Sequence, residues 1–158
     1  MKSTLSRVAG ILAVMAAVVV TGCDSDPVIP RIEDATFAPS LGINLNAMTK
    51  SVTGLYYQNV VDGTGDPAGH GSRAWVHYTG WLADGTEFDA SWPPEAPILV
   101  WIGSGNTIPG FAEGTRGMRV GGKRLIVVPP VLGYGGQTQG PIPANSILVF
   151  EIELVAVE

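Results

Sequence analysis

From Gly54 onward, turn residues cut the chain into short apolar segments, and this punctuation confines the fold to a sheet of short strands with little room for long helices. Gly (21) and Pro (12) together make up about a fifth of the 158 residues. Leu55 to Val61 reads as a strand closed by the turn Asp62-Gly-Thr-Gly-Asp-Pro67. Ala74 to Leu82 is a second strand, with Trp75, His77 and Thr79 on one face and Val76, Tyr78 and Gly80 on the other. Asp84-Gly85 turns into Thr86-Glu87-Phe88-Asp89, and the proline-rich Ser91 to Pro97 cannot donate to a ladder and must be a loop. Ile98 to Ile102 and Leu125 to Val128 are runs apolar on both faces. Ser146 to Val157 alternates, with Leu148, Phe150, Ile152 and Leu154 toward a core and Glu151 and Glu153 away from it.

One segment predicts a helix. Across Thr107 to Met118, Thr107 is placed to cap, Pro109 suits the first turn, and Phe111, Thr115 and Met118 recur at helical spacing. Gly110, Gly114 and Gly117 each cost about 1 kcal/mol relative to Ala, so this helix needs a sheet to hold it. The expected class is α+β: an antiparallel β-sheet with one short α-helix packed against it.

The N-terminus reads as an address. Lys2 and Arg7 precede the thirteen-residue apolar run Val8 to Val20, the pattern of a secretory signal. The one cysteine of the chain ends Val20-Thr-Gly-Cys23, which resembles a bacterial lipobox and predicts cleavage after residue 22 with lipidation of Cys23. All fourteen acids follow this segment and two of the nine bases lie within it, so its removal leaves seven bases against fourteen acids. The expected organisation is a lipoprotein signal peptide (1–22), a lipidated cysteine with a tether and N-terminal arm (23–53), and a folded domain (54–158). The acid- and proline-bearing stretch to Thr36 is the tether, and Phe37 to Thr53 is an arm with enough apolar spacing to dock on a neighbouring domain. The expected location is the bacterial cell envelope, on its periplasmic or extracytoplasmic face and anchored in the membrane by lipid.

Several chemistries are excluded. An acidic chain with a pI near 4.9 lacks the clustered bases that nucleic acid requires. A single cysteine leaves no internal disulfide and no multi-cysteine metal site, and the two histidines, His70 and His77, have no ligand spacing around them, so no metal and no cofactor are expected. Gly117 to Lys123 matches G-x-x-x-x-G-K, but Arg124 stands where a P-loop needs Ser or Thr for Mg²⁺, and the helical signal precedes the match when it ought to follow it. Ser104 lacks the G-x-S-x-G frame of a hydrolase.

What remains is a set of large apolar side chains with few polar groups. Val76-His-Tyr-Thr-Gly-Trp-Leu-Ala-Asp-Gly-Thr-Glu-Phe-Asp89, Ile108-Pro-Gly-Phe111, Gly121-Gly-Lys-Arg124, Tyr134-Gly135 and Ile142-Pro-Ala-Asn-Ser-Ile-Leu-Val-Phe-Glu-Ile-Glu-Leu154 follow one another with a spacing that resembles the FKBP-type peptidyl-prolyl cis-trans isomerases. The resemblance covers residues 54 to 158. It implies that Tyr78, Phe88, Asp89, Ile108, Phe111, Tyr134 and Phe150 are the catalytic set and that Val100, Thr107 and Ile142 contact substrate. Phe111 replaces a frequent Trp, Ala144 replaces the second Pro of an Ile-Pro-Pro run, and Ile98 and Val100 stand where many members carry aromatic rings.

The implied reaction is rotation about X-Pro bonds of exported polypeptides. Its barrier is about 20 kcal/mol and its path breaks no bond, so it needs no nucleophile and no cofactor. Tacrolimus-type macrolides are implied as competitors. Two readings stay open on sequence: an active isomerase, or a low-turnover proline-peptide binding or chaperone module on the same fold. Tyr78, Phe88, Phe111 and Phe150 also have a plain alternative as core residues, since large apolar side chains on strands usually are.

Overall fold

In the computed structural model, residues 29–158 are described; the signal segment, Cys23 and the first part of the tether lie outside them. Seven strands form one antiparallel sheet: β1 (Thr49–Lys50), β2 (Tyr56–Val61), β3 (Arg73–Leu82), β4 (Glu87–Ala90), β5 (Ile98–Trp101), β6 (Lys123–Val128) and β7 (Leu148–Val157). Their order is β1-β2-β6-β7-β3-β4, with β5 also paired to β3. β7 runs along the whole of one side of β3, whereas β4 pairs with residues 79–81 and β5 with residues 73–76 on the other. β4 and β5 therefore form two halves of a single edge, interrupted by the loop Ser91–Pro97.

The single α-helix among the described residues, α1 (Pro109–Thr115), is shorter than the sequence predicts. Thr107 is not its cap: Ile108 occupies that position, no side chain caps it, and the Thr107 hydroxyl is buried without a hydrogen-bond partner among the described residues. The glycines expected to weaken α1 are what let it sit on the sheet. A Cβ on Gly110 would come within 2.4 Å of Val128 Cγ1, and one on Gly114 within 2.7 Å of Ile126 Cδ1. Both neighbours belong to β6, so helix and strand approach more closely than any larger residue permits.

Two apolar clusters cover the two faces of the sheet. On the helix side, Val76, Tyr78, Ile126, Val128, Leu148, Phe150, Ile152 and Leu154 meet Phe111 and Met118. On the opposite side, Tyr56, Val127, Ile147 and Val149 meet Ile32 and Met48, with Phe37, Leu41, Ile43 and Leu45 packed around them. This second cluster explains why Leu125 to Val128 is apolar on both faces: α1 covers one, and the N-terminal segment covers the other. The segment makes three short 3-10 turns (Ile32–Asp34, Pro39–Leu41, Leu45–Ala47), and the Ala38 N–H donates to the Ala83 carbonyl at 2.8 Å. Part of the stretch expected to be tether is thus packed, with Ile32 only 2% exposed. No helix among the described residues is long and apolar enough to cross a membrane.

Candidate active site

The alternation of β3 and β7 places Tyr78 and Phe150 on the helix-facing side of the sheet, where the first turn of α1 brings Phe111 beneath them. Phe88 reaches the same place from β4. The rings meet edge to face: Phe111 and Phe150 have centroids 5.1 Å apart at 89°, Phe88 and Phe150 5.6 Å at 88°, and Tyr78 and Phe111 5.3 Å at 80°. Perpendicular contact of this kind sets the positive edge of one ring against the negative face of the next and resists rotation of either. Gly80 makes room for it, since a Cβ there would lie 2.7 Å from Phe88 and 2.9 Å from Phe150.

These rings enclose a cavity of about 180 Å³ lined by Tyr78, Phe88, Asp89, Ile98, Asn106, Thr107, Ile108, Phe111, Tyr134 and Phe150. Its charged group is Asp89. The Tyr78 phenol donates to Asp89 Oδ2 and the Ala90 N–H donates to Oδ1 at 3.0 Å, so both carboxylate oxygens are engaged and the group is pinned to the wall. Burial, and next the bond to Asp89, push the Tyr78 phenol above its ordinary range, so it remains a protonated donor at neutral pH. Tyr134 stands at the rim, 37% exposed. The Ile108 carbonyl accepts from the Phe111 and Ala112 N–H groups at 3.1 and 3.3 Å, while its own N–H finds no acceptor among the described residues.

Behind the wall, on the other face of β3, His77 and Trp92 stack at 5.5 Å. His77 Nδ1 bonds the Ser91 carbonyl, and Trp92 Nε1 donates to Thr79 Oγ1 at 2.6 Å. The loop that interrupts the sheet edge is thereby fastened to β3 next to Asp89. His77 is spent on this contact, and among the described residues there is no cluster able to hold a metal ion.

All seven residues expected as catalytic line the one cavity, as does Thr107. Val100 does not. Its register partner is Ala74, two residues further from Tyr78 than Val76, the partner of Ile98; Val100 is therefore fully buried in the core and Ile98 reaches the cavity in its place. Ile142 is likewise 4% exposed in the core cluster and outside the lining. Sequence reasoning missed Ile98 and Asn106. The period-two alternation of β5 pairs Ile98 with Val100 on one face and cannot say which end of the strand meets the cavity.

A second, larger groove of about 330 Å³ runs between Asn59–Gly63 and Gly117–Arg124, where the sequence nearly matches a P-loop. It carries no phosphate cradle. The Arg124 side chain is 7% exposed, donates to Asn59 Oδ1, Gly114 O and Arg116 O at 2.7–3.0 Å, and lies 5.0 Å over the Tyr57 ring. It is a structural clamp within β6, and the residues after it continue that strand and form no helix.

Comparison with known proteins agrees with this geometry. An FK506-binding protein from Neisseria meningitidis serogroup B is 42% identical over 105 residues, covering 66% of this chain and 96% of its own length. The crystal structure of FkpA from Escherichia coli superposes with a TM-score of 0.65 at 39% identity over 71% of this chain, which spans 52% of that one. A crystal structure of a peptidyl-prolyl cis-trans isomerase from Pseudomonas syringae gives 0.63 at 32% identity, covering 71% of this chain and 81% of its own. The model of the FKBP-type peptidyl-prolyl cis-trans isomerases matches residues 65–155, which hold every residue lining the cavity, and the chain belongs to that family.

Proposed function

We propose that this isomerase twists X-Pro bonds of exported polypeptides inside the aromatic cavity, by desolvation and fit, while tethered to the cell envelope through lipid on Cys23. The observation that carries the catalytic part is the enclosure itself. Four rings, joined by three near-perpendicular contacts and one tilted one, surround a site whose carboxylate is already bonded on both oxygens.

In a planar prolyl amide, conjugation makes the carbonyl strongly dipolar, and at the twisted transition state that conjugation is lost. An apolar cavity therefore disfavours the ground state more than the transition state, which is the differential binding that catalysis requires. Phe111 lies beneath the pyrrolidine ring, with Phe88, Ile108 and Phe150 completing the walls. The Ile108 N–H and the Tyr134 hydroxyl hold substrate carbonyls and set the register of the peptide. Asp89 and Tyr78 act as a fixed pair that shapes the wall. No proton is transferred, and no metal or nucleotide takes part. Tacrolimus-type macrolides occupy the same cavity and compete with the peptide.

A prolyl-peptide isomerisation assay, together with refolding of a protein limited by a proline bond, tests the catalytic reading. An isomerase accelerates refolding, whereas a module that only binds delays it. The anchor is tested separately, by fractionating cells that express Cys23→Ser. Removal of the sole acceptor thiol should release the protein from membranes, and a variant that pellets as firmly as the wild type refutes lipidation.

A further inference from the structure

We propose that Asn106 is a positioning residue of the prolyl site, whose carboxamide clasps the segment 103–107 to the open edge of β5 and so fixes the Ile108 N–H at the cavity rim. β5 pairs with β3 on one side, and no strand among the described residues covers its other edge. On that edge the Leu99 carbonyl and the Trp101 N–H point outward together, as in any strand for residues i and i+2. Asn106 meets both: Nδ2 donates to the Leu99 carbonyl at 2.9 Å, and Oδ1 accepts from the Trp101 N–H at 3.0 Å. The side-chain amide thus takes the place that a neighbouring strand would occupy.

Ser104 completes the clasp. Its Oγ lies 3.0 Å from the Trp101 carbonyl and 3.1 Å from Asn106 Oδ1, sharing one proton between them, and accepts from the Asn106 N–H at 3.3 Å. The loop needs such a fastening. Gly103 and Gly105 both adopt positive φ, at 97° and 77°, and carry no side chain to hold the turn. The two residues that follow Asn106 line the cavity, and the second is Ile108, with its unused N–H. A shift of the clasp is passed directly along the backbone to that donor.

The inference rests on the assignment of this cavity as the prolyl site. The Ile108 N–H bonds a carbonyl in both the planar and the twisted substrate, so misplacing it removes binding common to both states and raises KM while leaving kcat nearly unchanged. For Asn106→Ala, kcat/KM per folded molecule should fall by about three- to tenfold, carried in KM, with macrolide affinity falling alongside. Asn106→Asp keeps an acceptor for Trp101 but sets a carboxylate against the Leu99 carbonyl. It should shift the same parameters in the same direction and serves if the alanine variant does not fold. Ile32→Ala, on the opposite face of the sheet, provides a control that loses stability without any change in KM. Phe111→Ala in the same series distinguishes failure of the site from failure of the clasp. Activity retained in Phe111→Ala overturns the site itself; activity lost there but KM unchanged in both Asn106 variants overturns the clasp alone. A loss confined to kcat in the Asn106 variants also overturns the positioning role.

Discussion

The rings of Phe111, on the helix, and Phe150, on the last strand, stand at 89° with centroids 5.1 Å apart, and this contact joins α1 to the sheet at the floor of the cavity. The residues lie 39 positions apart in the chain, so the floor exists only once β7 has paired and α1 has docked.

Phe111→Ala opens that floor, and Tyr134→Phe removes one hydroxyl at the rim. Each tenfold change in rate corresponds to about 1.4 kcal/mol, and a hydrogen bond between neutral groups usually contributes that or less. Tyr134→Phe should lower kcat/KM by about tenfold at most and Phe111→Ala by clearly more, measured on a prolyl peptide and corrected for the folded fraction. The reverse order would mean that hydrogen bonding, not fit, dominates the catalysis.

Gly80→Ala should injure the site more than the fold. The added methyl would overlap Phe88 and Phe150, and overpacking of this size costs about 1–3 kcal/mol. The displaced rings form the cavity wall, so kcat/KM should drop by about ten- to a hundredfold, the scale on which small displacements act in a positioned site. Urea denaturation and the peptide assay check the two effects independently; full activity in a destabilised variant would show that the wall tolerates ring displacement.

The protein's pH dependence should divide between stability and activity. Glu33 bonds Lys50 and accepts from the Tyr56 hydroxyl at 2.9 Å, fastening the N-terminal segment to β1 and β2. The Lys50 bond, followed by its own backbone N–H and the Tyr56 hydroxyl, lowers its pKa from 4.5 to about 2. A carboxylate depressed by folding stabilises fully above its unfolded value, and that contribution disappears as pH falls through the folded one. The Tm gap between wild type and Glu33→Gln should therefore be complete near neutrality and close as pH drops from about 4.5 to 2. Across pH 6 to 8 the isomerase rate should stay level, because the raised Tyr78 phenol keeps its proton there. A Tm gap that persists at pH 2, or a bell-shaped rate profile near neutrality, would contradict these assignments.

Local chemistry made much of this protein legible. Alternation in 74–82 and 146–157, the Asp84-Gly85 turn and the prolines of 91–97 each act over a few residues, and the strands appear within two or three residues of where these signals place them. Family spacing pointed to eight of the ten residues that the fold gathers around the cavity; it left out Ile98 and Asn106 and included Val100 and Ile142, which the fold buries in the core. The helix was legible in outline, and its glycines could be read as a demand for a sheet, though not as the means of meeting it.

The sequence alone determined the pattern of strands β2 to β7, the helix in outline and the aromatic residues, because periodicity and turn preference are short-range properties of the backbone; the short β1, inside the expected arm, was not legible. Only the tertiary structure decided that Ile98 and not Val100 reaches the cavity, since that depends on the register of β5 against β3. It also decided that Ile32 and the segment after it pack beneath β6 and β7, where the second apolar face of Leu125–Val128 requires a cover. Asn106 shows the same division. As a residue it reads as part of a polar turn, and it becomes the partner of an open strand edge only when folding leaves Leu99 and Trp101 with backbone groups to satisfy.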